Sequence, residues 1–465
     1  MIYYPFDKEV KILKINFIIV SPYSPKWNNI ASIRWEKIAK YLAYNYQTTV
    51  VTSSFDNEDI YRHFDVGETE LIEIPLKYYK TNPYSKNSHT ASQKRKRFIV
   101  DYINFAKVEV RPILERLFPI SPGGMLYHDF KKYFEKVEQR IFKDDLSTVL
   151  ITTYDPWFSL RIGDLMKKKY NSLLWVADFR DPSFNVHESK ISRMPCFKTS
   201  TCRKIKDADI VTVVTEQMKK EYEVACNRKI FFLPNGFDDE ITGQKEQRNK
   251  EKHSLHIAYT GSLHPNTIDI SYFVNSLKYA HNLHKSIAFK FTYVGKDTQK
   301  VKDEFEKRDM KEILQNSGFV RHEEALQTQR NADVLLLIGY TGGDPKVGKG
   351  IRTGKIYEYL ASYKPIIVIA PKDWEMKEEV ECDGISKVFE KTETKKIAEY
   401  LIKLANMDSL EINYEKRQNI INKYSYKKIA NDLVEIINEV QRSRINENTF
   451  SNRSSSSDNQ RSDSK

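Results

Sequence analysis

Residues 352–368, RTGKIYEYLASYKPIIV, join a short amphipathic helix directly to an apolar strand. Ile356, Tyr359 and Leu360 recur at helical spacing and predict one buried stripe, and Thr353 is placed to cap the helix start. A helix that leads straight into a strand rich in isoleucine and valine is typical of a parallel sheet covered by helices. The stretch therefore predicts part of an α/β domain.

The first turns of this helix also carry charge. Free backbone N–H groups at a helix start, together with Lys355, are suited to bind a diphosphate. Glu358, one turn later, can accept hydrogen bonds from two neighbouring hydroxyls, as a ribose presents. Phosphate and diol together indicate a nucleotide sugar. The alternative is an exposed Lys355–Glu358 pair that contributes a few tenths of a kcal/mol.

The loop before the helix, residues 339–355, holds six of the sixteen glycines of the chain. Glycine lets backbone N–H groups approach an anion, and lysines supply charge, so the loop predicts a phosphate site. Gly343 to Lys349 fits GxxxxGK, but Gly350 stands where a Walker A loop needs Ser or Thr. A P-loop NTPase is therefore a minor reading, and a flexible loop without a ligand is another.

Outward from this stretch, apolar runs of strand length alternate with amphipathic runs of helix length. In the first half the strand-length runs span 15–20, 48–53, 148–153, 173–178, 209–214 and 229–234. In the second half they span 255–261, 288–295, 332–339, 365–370 and 386–390. This alternation predicts two similar α/β halves, each with a parallel sheet.

The domain boundary is expected in the interval 238–254, which is charged, rich in turn residues and free of apolar runs. We expect an N-terminal domain over residues 1–245 and a C-terminal domain over 246–445. Residues 411–444 read as helix, and the polar, serine-rich stretch 446–465 predicts a disordered tail.

The composition and the net charge of the chain limit the kinds of partner that we expect. With 465 residues, 40% hydrophobic and 30% charged, the chain is expected to fold as a globular protein, and its net charge of +12 favours an anionic partner. A basic segment, residues 94–97, stands beside Phe98 and Ile99 and suits an anionic membrane surface, although a solvated helix face is an equal reading. No apolar run is long enough to span a bilayer and the start lacks the pattern of a signal peptide. We expect a cytoplasmic protein, with peripheral contact at the inner face of the membrane as an option.

Metal and disulfide chemistry are not expected. The four cysteines form no CxxC pair, so we expect them reduced and buried: Cys196, Cys202, Cys226 and Cys382. Asp207 and Asp209 mimic a metal-binding DxD motif but precede a strand rather than follow one. His281 and His284 have no neighbouring Cys or acid and read as a helix surface.

The segment TGKIYEYLASYKPIIV resembles the donor-site helix of GT-B glycosyltransferases, and of glycosyltransferase family 4 (glycosyl transferases group 1) in particular. Further segments match that pattern in order: 208–222 with 230–240, then 257–265, then 291–297 with 318–338. The first half resembles these enzymes more loosely, through 17–43 and 175–182. The resemblance implies two Rossmann-like α/β domains that face each other across a cleft, followed by a C-terminal helix and the tail.

The resemblance implies a donor site in the C-terminal domain. Glu358 would be the ribose-binding glutamate of an E-x7-E pair, Gly261 and Ser262 would lie beneath the donor phosphates, and Gly295 would border the base. The donor-binding candidates are Gly261, Ser262, Gly295, Lys349, Arg352, Thr353, Gly354, Lys355 and Glu358. The sequence departs from the family at the first glutamate, which is replaced by Gly350, and Asp344 is a candidate substitute. The basic residues that family members usually carry after the segment 261–263 (GSL) are absent here. Lys349, Arg352 and Lys355 are therefore expected to neutralise the charge of the donor phosphates.

Acceptor candidates follow strands of the first half. Asp178, Arg180 and Asp181 follow one strand and are candidates to bind the acceptor or to polarise its hydroxyl, although an ion cluster that only orders the loop is an equal reading. Tyr23 and Trp27 are candidates to stack on sugar rings, with ordinary packing as the alternative. The catalytic candidates are Asp178, Arg180, Asp181 and Asp344.

These observations predict a glycosyltransferase of hexosyltransferase type. It would move a sugar from a nucleotide-diphosphate sugar to a lipid-linked saccharide acceptor, and the resemblance implies a UDP-sugar rather than a GDP-sugar as the donor. The pathway would be cell-surface polysaccharide biosynthesis, of capsule or lipopolysaccharide. The resemblance implies retention of anomeric configuration without a metal or other cofactor.

The alternatives are a catalytically silent GT-B protein that binds nucleotide or membrane, and a nucleotide-sugar epimerase. Nucleic acid is not expected as a partner, because the lysines cluster with glycines in one loop.

Overall fold

The apolar runs of both halves form strands in a computed structural model of the chain. The structure describes residues 15–26, 30–54, 64–75, 127–142, 147–155, 157–185, 191–238, 251–264 and 267–459. The described strands form two sheets, one in each half, and the strand pairs with a defined register are parallel. The predicted α/β class with two parallel sheets is therefore confirmed.

The first sheet has seven strands in the order β3-β2-β1-β4-β5-β6-β7. The strands are β1 Ile15–Val20, β2 Gln47–Ser54, β3 Glu70–Pro75, β4 Ser147–Tyr154, β5 Leu174–Phe179, β6 Ile210–Val213 and β7 Phe231–Phe232. The accompanying helices are α1 Ile30–Ala43, α2 Tyr127–Ile141, α3 Trp157–Lys169, α4 Pro195–Lys204 and α5 Glu216–Cys226, with a 3-10 turn at Ile191–Arg193. Strand order reverses between β1 and β4, so the loops after these strands form the expected ligand position of the sheet.

The second sheet has six strands in the order β10-β9-β8-β11-β12-β13. The strands are β8 Ser254–Thr260, β9 Ala288–Val294, β10 Leu314–Gly318, β11 Val334–Ile338, β12 Ile366–Ile369 and β13 Lys387–Phe389. The helices are α6 Ser271–Leu283, α7 Thr298–Glu306, α8 His322–Asn331, α9 Pro345–Gly348, α10 Lys355–Ala361, α11 Lys377–Glu381, α12 Thr394–Asn406, α13 Tyr414–Lys423 and α14 Tyr426–Asn459, with a 3-10 turn at Lys311–Ile313. Here the order reverses between β8 and β11.

The two structural units are not contiguous in sequence. The first unit comprises Met1–Thr212, Glu223–Phe231 and Leu433–Lys465, and the second comprises Val213–Tyr222 and Phe232–Asp432. The chain therefore changes unit four times, whereas the sequence predicted a single boundary at residue 245.

The C-terminal region differs from the sequence-based expectation in two ways. The helix expected over residues 411–444 is two helices, because Asn413 caps α13 and the chain leaves the helix at Tyr424, before α14. The backbone of α14 then continues to Asn459, into the stretch expected to be a disordered tail from residue 446. No glycine or proline occurs in residues 426–459, so neither of the two strongest helix breakers interrupts α14.

The expectation that all four cysteines are reduced and buried is wrong. Cys202, near the end of α4, forms a disulfide with Cys226, the last residue of α5. Cys196 is exposed and Cys382 is half-buried. The pair is separated by 24 residues and carries no local motif, since only the folding of α4 and α5 brings the thiols together.

A buried ion pair holds part of the second unit together. Arg417 of α13 pairs with Asp383, and neither side chain is exposed. The guanidinium also donates to the Leu360 carbonyl near the end of α10, at 3.2 Å, and to the Ser386 hydroxyl, at 2.9 Å. Asp383 in turn accepts the backbone N–H groups of Ile385 and Ser386. This network fixes the C-terminal end of α10, the helix predicted to bind the donor.

Candidate functional site

Two of the predicted glycines meet at the carboxyl ends of β8 and β9, on one side of the point where the strand order of the second sheet reverses. Gly261 follows β8 and Gly295 follows β9. The Gly261 N–H donates to the Val294 carbonyl at 2.8 Å, and the Gly261 carbonyl accepts the Tyr293 hydroxyl at 2.9 Å. A Cβ atom on Gly295 would stand 2.1 Å from the Gly261 carbonyl oxygen, so this approach needs glycine. The next residue, Ser262, accepts the Tyr259 hydroxyl through its carbonyl at 3.2 Å.

Helix α10 brings the predicted charges to this place. The Lys355 Nζ lies 3.7 Å from the Glu358 Oε2, and the side chains are 33% and 16% exposed. A Cβ atom on Gly261 would lie 3.5 Å from the Lys355 Cε, so the lysine stem passes directly beside the glycine. The structure thus places Gly261, Gly295, Lys355 and Glu358 together, at the carboxyl ends of neighbouring strands.

The carboxylate of Glu358 is held by residues that the sequence reasoning missed. Gln329, which is buried, donates from Nε2 to Glu358 Oε2 at 3.3 Å and to Thr260 Oγ1 at 3.0 Å. Burial alone would raise the pKa of Glu358, but nearby Lys355, nearby His322 and the Gln329 hydrogen bond outweigh it and hold the pKa below its usual value. Glu358 is therefore a charged, partly accessible acceptor at neutral pH.

The residues that the sequence analysis missed lie on the helix that follows β10. His322 begins α8, and Gln329 stands seven residues later, so both lie on one face of the helix. That face is directed toward α10, because both residues act on Glu358. Polar residues at this spacing, on a helix that is otherwise strongly hydrophilic, do not stand out in the sequence alone.

The start of α10 differs from the expectation that Thr353 caps it. The N-cap residue is Gly354, which has helical dihedral angles and provides no side-chain cap. Thr353 therefore lies one position before the N-cap residue, and its carbonyl accepts the Ile356 N–H at 3.2 Å. Its hydroxyl oxygen is buried and has no hydrogen-bond partner among the described residues. The predicted buried stripe is confirmed, since Ile356, Tyr359 and Leu360 are at most 1% exposed.

Two glycines of the loop 339–355 make room for an aromatic ring. A Cβ atom on Gly342 would stand 2.3 Å from the Tyr340 hydroxyl, and one on Gly348 would stand 2.3 Å from the Tyr340 Cδ1. These positions need glycine because Tyr340, 7% exposed, packs against them. Their presence is thus explained without an anion, in contrast to the expectation that they let the backbone approach a phosphate. Gly343 has no heavy atom within 4 Å of its Cβ position.

The GxxxxGK segment does not form the loop of a P-loop NTPase. Its residues form the short helix α9, and Asp344 caps that helix by accepting the Lys346 N–H at 3.1 Å. Asp344 is exposed. In this structure Asp344 caps α9. That Asp344 substitutes for the glutamate replaced by Gly350 stays a prediction.

The remaining predicted basic residues are paired with carboxylates. Lys349 lies 3.0 Å from Asp373, with both side chains accessible. Arg352 lies 2.8 Å from Glu375, only 5% exposed, and its guanidinium stands 5.1 Å from the centre of the Phe232 ring. Burial would lower the pKa of Arg352, but its neighbours, Glu375 among them, raise it above its usual value. Arg352 therefore neutralises a buried carboxylate, in contrast to the expectation that it carries phosphate charge.

The same carboxylate lies beside Gly350, the position that departs from the family pattern. Glu375 accepts the Gln217 N–H at 2.5 Å through Oε1. A Cβ atom on Gly350 would stand 2.5 Å from the Gln217 Cβ and 3.4 Å from the Glu375 Oε1. A larger side chain at residue 350 would therefore require its surroundings to move.

In the first unit, Asp178 is buried rather than directed at a ligand. Its Oδ1 accepts from Arg34 at 3.0 Å and from the Thr212 hydroxyl at 2.7 Å, and both charged side chains are 0% exposed. Asp178 belongs to β5, and its side chain is directed toward α1, the helix that carries Arg34. This position does not support the expectation that Asp178 contacts the acceptor. The apolar sequence of the strand does not indicate on which face of the sheet the side chain at its end lies.

Arg180 and Asp181 do lie after β5, where they form an ion pair. The Arg180 guanidinium stands 5.6 Å from the centre of the Tyr23 ring, and the Tyr23 hydroxyl lies 3.5 Å from Asp155 Oδ2. Burial would lower the pKa of Arg180, but Asp181 and other acidic neighbours raise it overall. Residues after β1, β4 and β5 thus meet where the strand order of the first sheet reverses. The sequence missed Asp155, although it directly follows a predicted strand.

Several predictions concern residues outside the described part of the chain, or only partly within it. Trp27 and the basic segment 94–97 are not among the described residues.

Asp209 lies directly before β6, as expected. Among the described helices, none combines the length and the apolar character that crossing a bilayer requires.

The chain was compared with known proteins. No family model and no curated protein matches it. Sucrose-phosphate synthase from Thermosynechococcus elongatus is similar over 92% of this chain and 99% of that chain, with a TM-score of 0.56 and 12% identity. HepE from Anabaena, in complex with UDP and glucose, is similar over 91% and 100%, with a TM-score of 0.57 and 11% identity. A TarM mutant from S. aureus, in complex with fondaparinux, alpha-GlcNAc-glycerol and UDP, is similar over 92% and 100%, with a TM-score of 0.56 and 13% identity. At these identities the likeness concerns the fold, and it confirms the predicted fold: the chain has the two-domain α/β fold of GT-B glycosyltransferases. The resemblance to glycosyltransferase family 4 in particular stays a prediction, since no family model matches.

Proposed function

We propose that the chain is a glycosyltransferase that moves a sugar from a nucleoside-diphosphate sugar to a saccharide acceptor. The observation that carries this proposal is the pair of Lys355 and Glu358 beside Gly261, where the strand order of the second sheet reverses. An ammonium group and a charged carboxylate, one turn apart and both accessible, match the diphosphate and the ribose diol of a nucleotide.

Recognition of the donor base is proposed for the ends of β9 and β10. The Gly295 N–H donates to the Gly318 carbonyl at 2.9 Å, which joins the two strand ends. Phe319, the next residue, is 49% exposed, and the Lys296 Nζ stands 5.2 Å from the centre of its ring. An exposed aromatic ring at this place can stack on a base. UDP is the proposed nucleotide, supported by the UDP bound in the HepE and TarM structures.

Catalysis is proposed to come from positioning and from neutralising the charge of the departing diphosphate. Lys355 supplies a cation for this, and Lys349, 42% exposed, can leave Asp373 at little cost because exposed ion pairs are weak. A metal-independent, retaining reaction of family 4 and hexosyltransferase type belongs to the proposal. So does a lipid-linked acceptor in capsule or lipopolysaccharide assembly, on a cytoplasmic protein with peripheral contact to the inner membrane face. The acceptor is placed near Tyr23, Asp155 and Arg180 of the first unit.

One observation favours a second candidate. Gly350 leaves no carboxylate at the position where family members carry the first glutamate, and a larger side chain there would require Gln217 to move. A catalytically silent protein that binds the nucleotide as an assembly partner fits this departure. Release of UDP from UDP-sugars, alone or with saccharide acceptors, separates the two: a silent protein binds UDP and never releases it from a sugar.

The donor site is tested by calorimetric binding of UDP and GDP to the wild type and to Glu358→Gln. Loss of a charge-assisted hydrogen bond of about 1.5–3 kcal/mol predicts roughly ten- to hundredfold weaker UDP binding. Glu324→Gln, an exposed carboxylate on α8, removes the same charge and should bind UDP like the wild type.

Deoxynucleotides then test the ribose contact itself. If Glu358 binds the diol, 2′-deoxy-UDP or 3′-deoxy-UDP should lose affinity on the wild type and lose little more on Glu358→Gln, because the contact is already gone. Equal affinity of wild type and Glu358→Gln for UDP would exclude the proposed site.

A further inference from the structure

The first unit contains a cavity that the proposed transferase site does not use. It has a volume of about 560 Å³ and lies between the ends of α4 and α5 and the middle of α14. Asp209, which lines it, directly precedes β6. The cavity is therefore at the amino ends of the strands, whereas Tyr23, Asp155 and Arg180 follow the carboxyl ends. It is a separate place on the same unit.

The cavity carries an excess of positive charge. Its lining contains four basic side chains and two carboxylates: Lys206, Arg228, Lys229, Arg444, Asp209 and Glu439. Asp209 is already shared, because Oδ1 accepts from Arg444 while Oδ2 accepts from Lys167 at 2.9 Å and from the Trp175 N–H at 2.6 Å. One carboxylate thus faces two cations. Consistently, burial first and then Arg444 lower the pKa of Lys167 to about 8.

Arg228 adds a charge with no acidic partner among the described residues. Its guanidinium donates to the carbonyls of Ile205, at 2.8 Å, and Ala208, at 2.7 Å. Burial lowers the pKa of Arg228, as expected of a cation that no carboxylate compensates. A half-buried guanidinium of this kind is suited to an anion that enters the cavity.

The two lysines of the lining are available to a ligand. Lys206 lies 4.0 Å from Asp207 and is 65% exposed. Lys229 pairs with Glu439 at 2.5 Å, but these side chains are 63% and 55% exposed. Exposed pairs contribute little, so either ammonium group can turn to a stronger anion at small cost.

Most of the remaining wall is apolar. It consists of Phe231, Val440 and the disulfide between Cys202 and Cys226, and Ser443 adds one hydroxyl group. The Lys229 Nζ stands 4.6 Å from the centre of the Phe231 ring, which places a cation at the edge of this apolar wall. Cations on one side and an apolar surface on the other match a phosphate group attached to an organic body.

We propose that this cavity binds a phosphate-bearing anion at a second site, distinct from the nucleotide site. The phosphate contacts Arg228, Lys206 and Lys229, and its organic part packs on Phe231. The same chemistry is offered by a soluble phosphorylated molecule and by a phospholipid headgroup. The proposal does not depend on the transferase activity, since no residue of the cavity belongs to the proposed donor or acceptor positions.

The experiment uses the full chain saturated with UDP, so that the nucleotide site is occupied. The first arm of the experiment is calorimetry, which measures the binding of inorganic tripolyphosphate as a soluble phosphate. The second arm is flotation with vesicles of phosphatidylcholine, with and without phosphatidylglycerol, which measures binding to phospholipid headgroups. The variants are the double substitution Lys206→Gln with Lys229→Gln, and the single substitution Glu439→Gln. The matched control is Lys132→Gln with Lys136→Gln on α2, which packs at the opposite edge of the sheet, against β2 and β3.

We expect binding in at least one arm, about tenfold or more weaker in the Lys206 and Lys229 double variant, as loss of charge-assisted contacts predicts. Glu439→Gln should bind a few times more tightly, because it removes a competing carboxylate. The arm that responds identifies the source of the phosphate. Absence of binding in both arms, or equal weakening in the control pair, would overturn the proposal, the latter because it would indicate attraction to net charge alone.

Discussion

Substituting Gly295 by alanine tests whether the strand ends of the second sheet form the donor site. The added Cβ atom would stand 2.1 Å from the Gly261 carbonyl oxygen and 2.3 Å from the Tyr293 hydroxyl. The first of these atoms belongs to the backbone, so no side-chain rotation relieves the contact and the ends of β8 and β9 must separate. Overpacking of this kind costs about 1–3 kcal/mol.

The expected result is a loss of both stability and affinity. For a unit of this size, 1 kcal/mol shifts the melting temperature by about 2–4 °C, so Gly295→Ala should melt about 2–12 °C lower. UDP binding should weaken as well, because the displaced Gly261 lies directly beside Lys355 in the proposed donor site. Thermal melts followed by calorimetry with UDP at a temperature where the variant is folded measure the two effects separately.

Gly343→Ala is the matched control, since it makes the same chemical change in the glycine-rich loop. Its Cβ position has no heavy atom within 4 Å, and its backbone lies outside the left-handed region. It should change stability by no more than about 0.5 kcal/mol. If Gly295→Ala melts and binds UDP like the wild type, the reasoning from the close approach of Gly295 to Gly261 is refuted.

Two further predictions concern charge. Arg417→Met leaves the Asp383 carboxylate buried and unpaired, so urea unfolding should show a loss of about 3–5 kcal/mol. Adding Asp383→Asn should recover part of this loss, and a single variant as stable as the wild type would contradict the assigned network. Glu358 has a folded-state pKa below its ordinary value of 4.5, so its charge contributes stability that is present above about pH 4.5 and is lost as the pH falls through the lower, folded-state pKa. Urea unfolding at several pH values should therefore show wild type and Glu358→Gln converging in acid, and a gap that widens in acid would reverse the assigned sign.

Most strands were predictable because buried parallel strands are continuous apolar runs. The two strands that the sequence analysis missed, β3 and β10, are edge strands of their sheets. ELIEIP alternates between buried and accessible residues, and LQNSG is largely accessible. Both strands therefore lack the continuous apolar run by which the central strands, and also the edge strands β7 and β13, were identified.

The site was predictable where chemistry follows directly from position along the chain. Gly261 and Gly295 follow strands, and Lys355 and Glu358 lie one helical turn apart, so their meeting needs only the α/β fold. Arg352 and Asp178 are each neutralised by a partner distant in sequence, Glu375 and Arg34 respectively, and the sequence analysis did not foresee these partners. Pairing of this kind depends on tertiary packing, and spacing along the chain does not encode it.

The repeated passage of the chain between its two units limits how this protein can exchange parts with relatives. A gene crossover at residue 245 separates Phe237 from the chain that follows, yet Phe237 belongs to the second unit. Its backbone donates to the Tyr424 carbonyl and accepts the Tyr426 N–H, each at 3.0 Å, at the junction of α13 and α14. Helix α14 itself, about 51 Å long by its 34 residues, supplies both units. A recombinant with a foreign first half would therefore inherit mismatched contacts in both units, so this architecture favours inheritance of the whole gene over the shuffling of its halves.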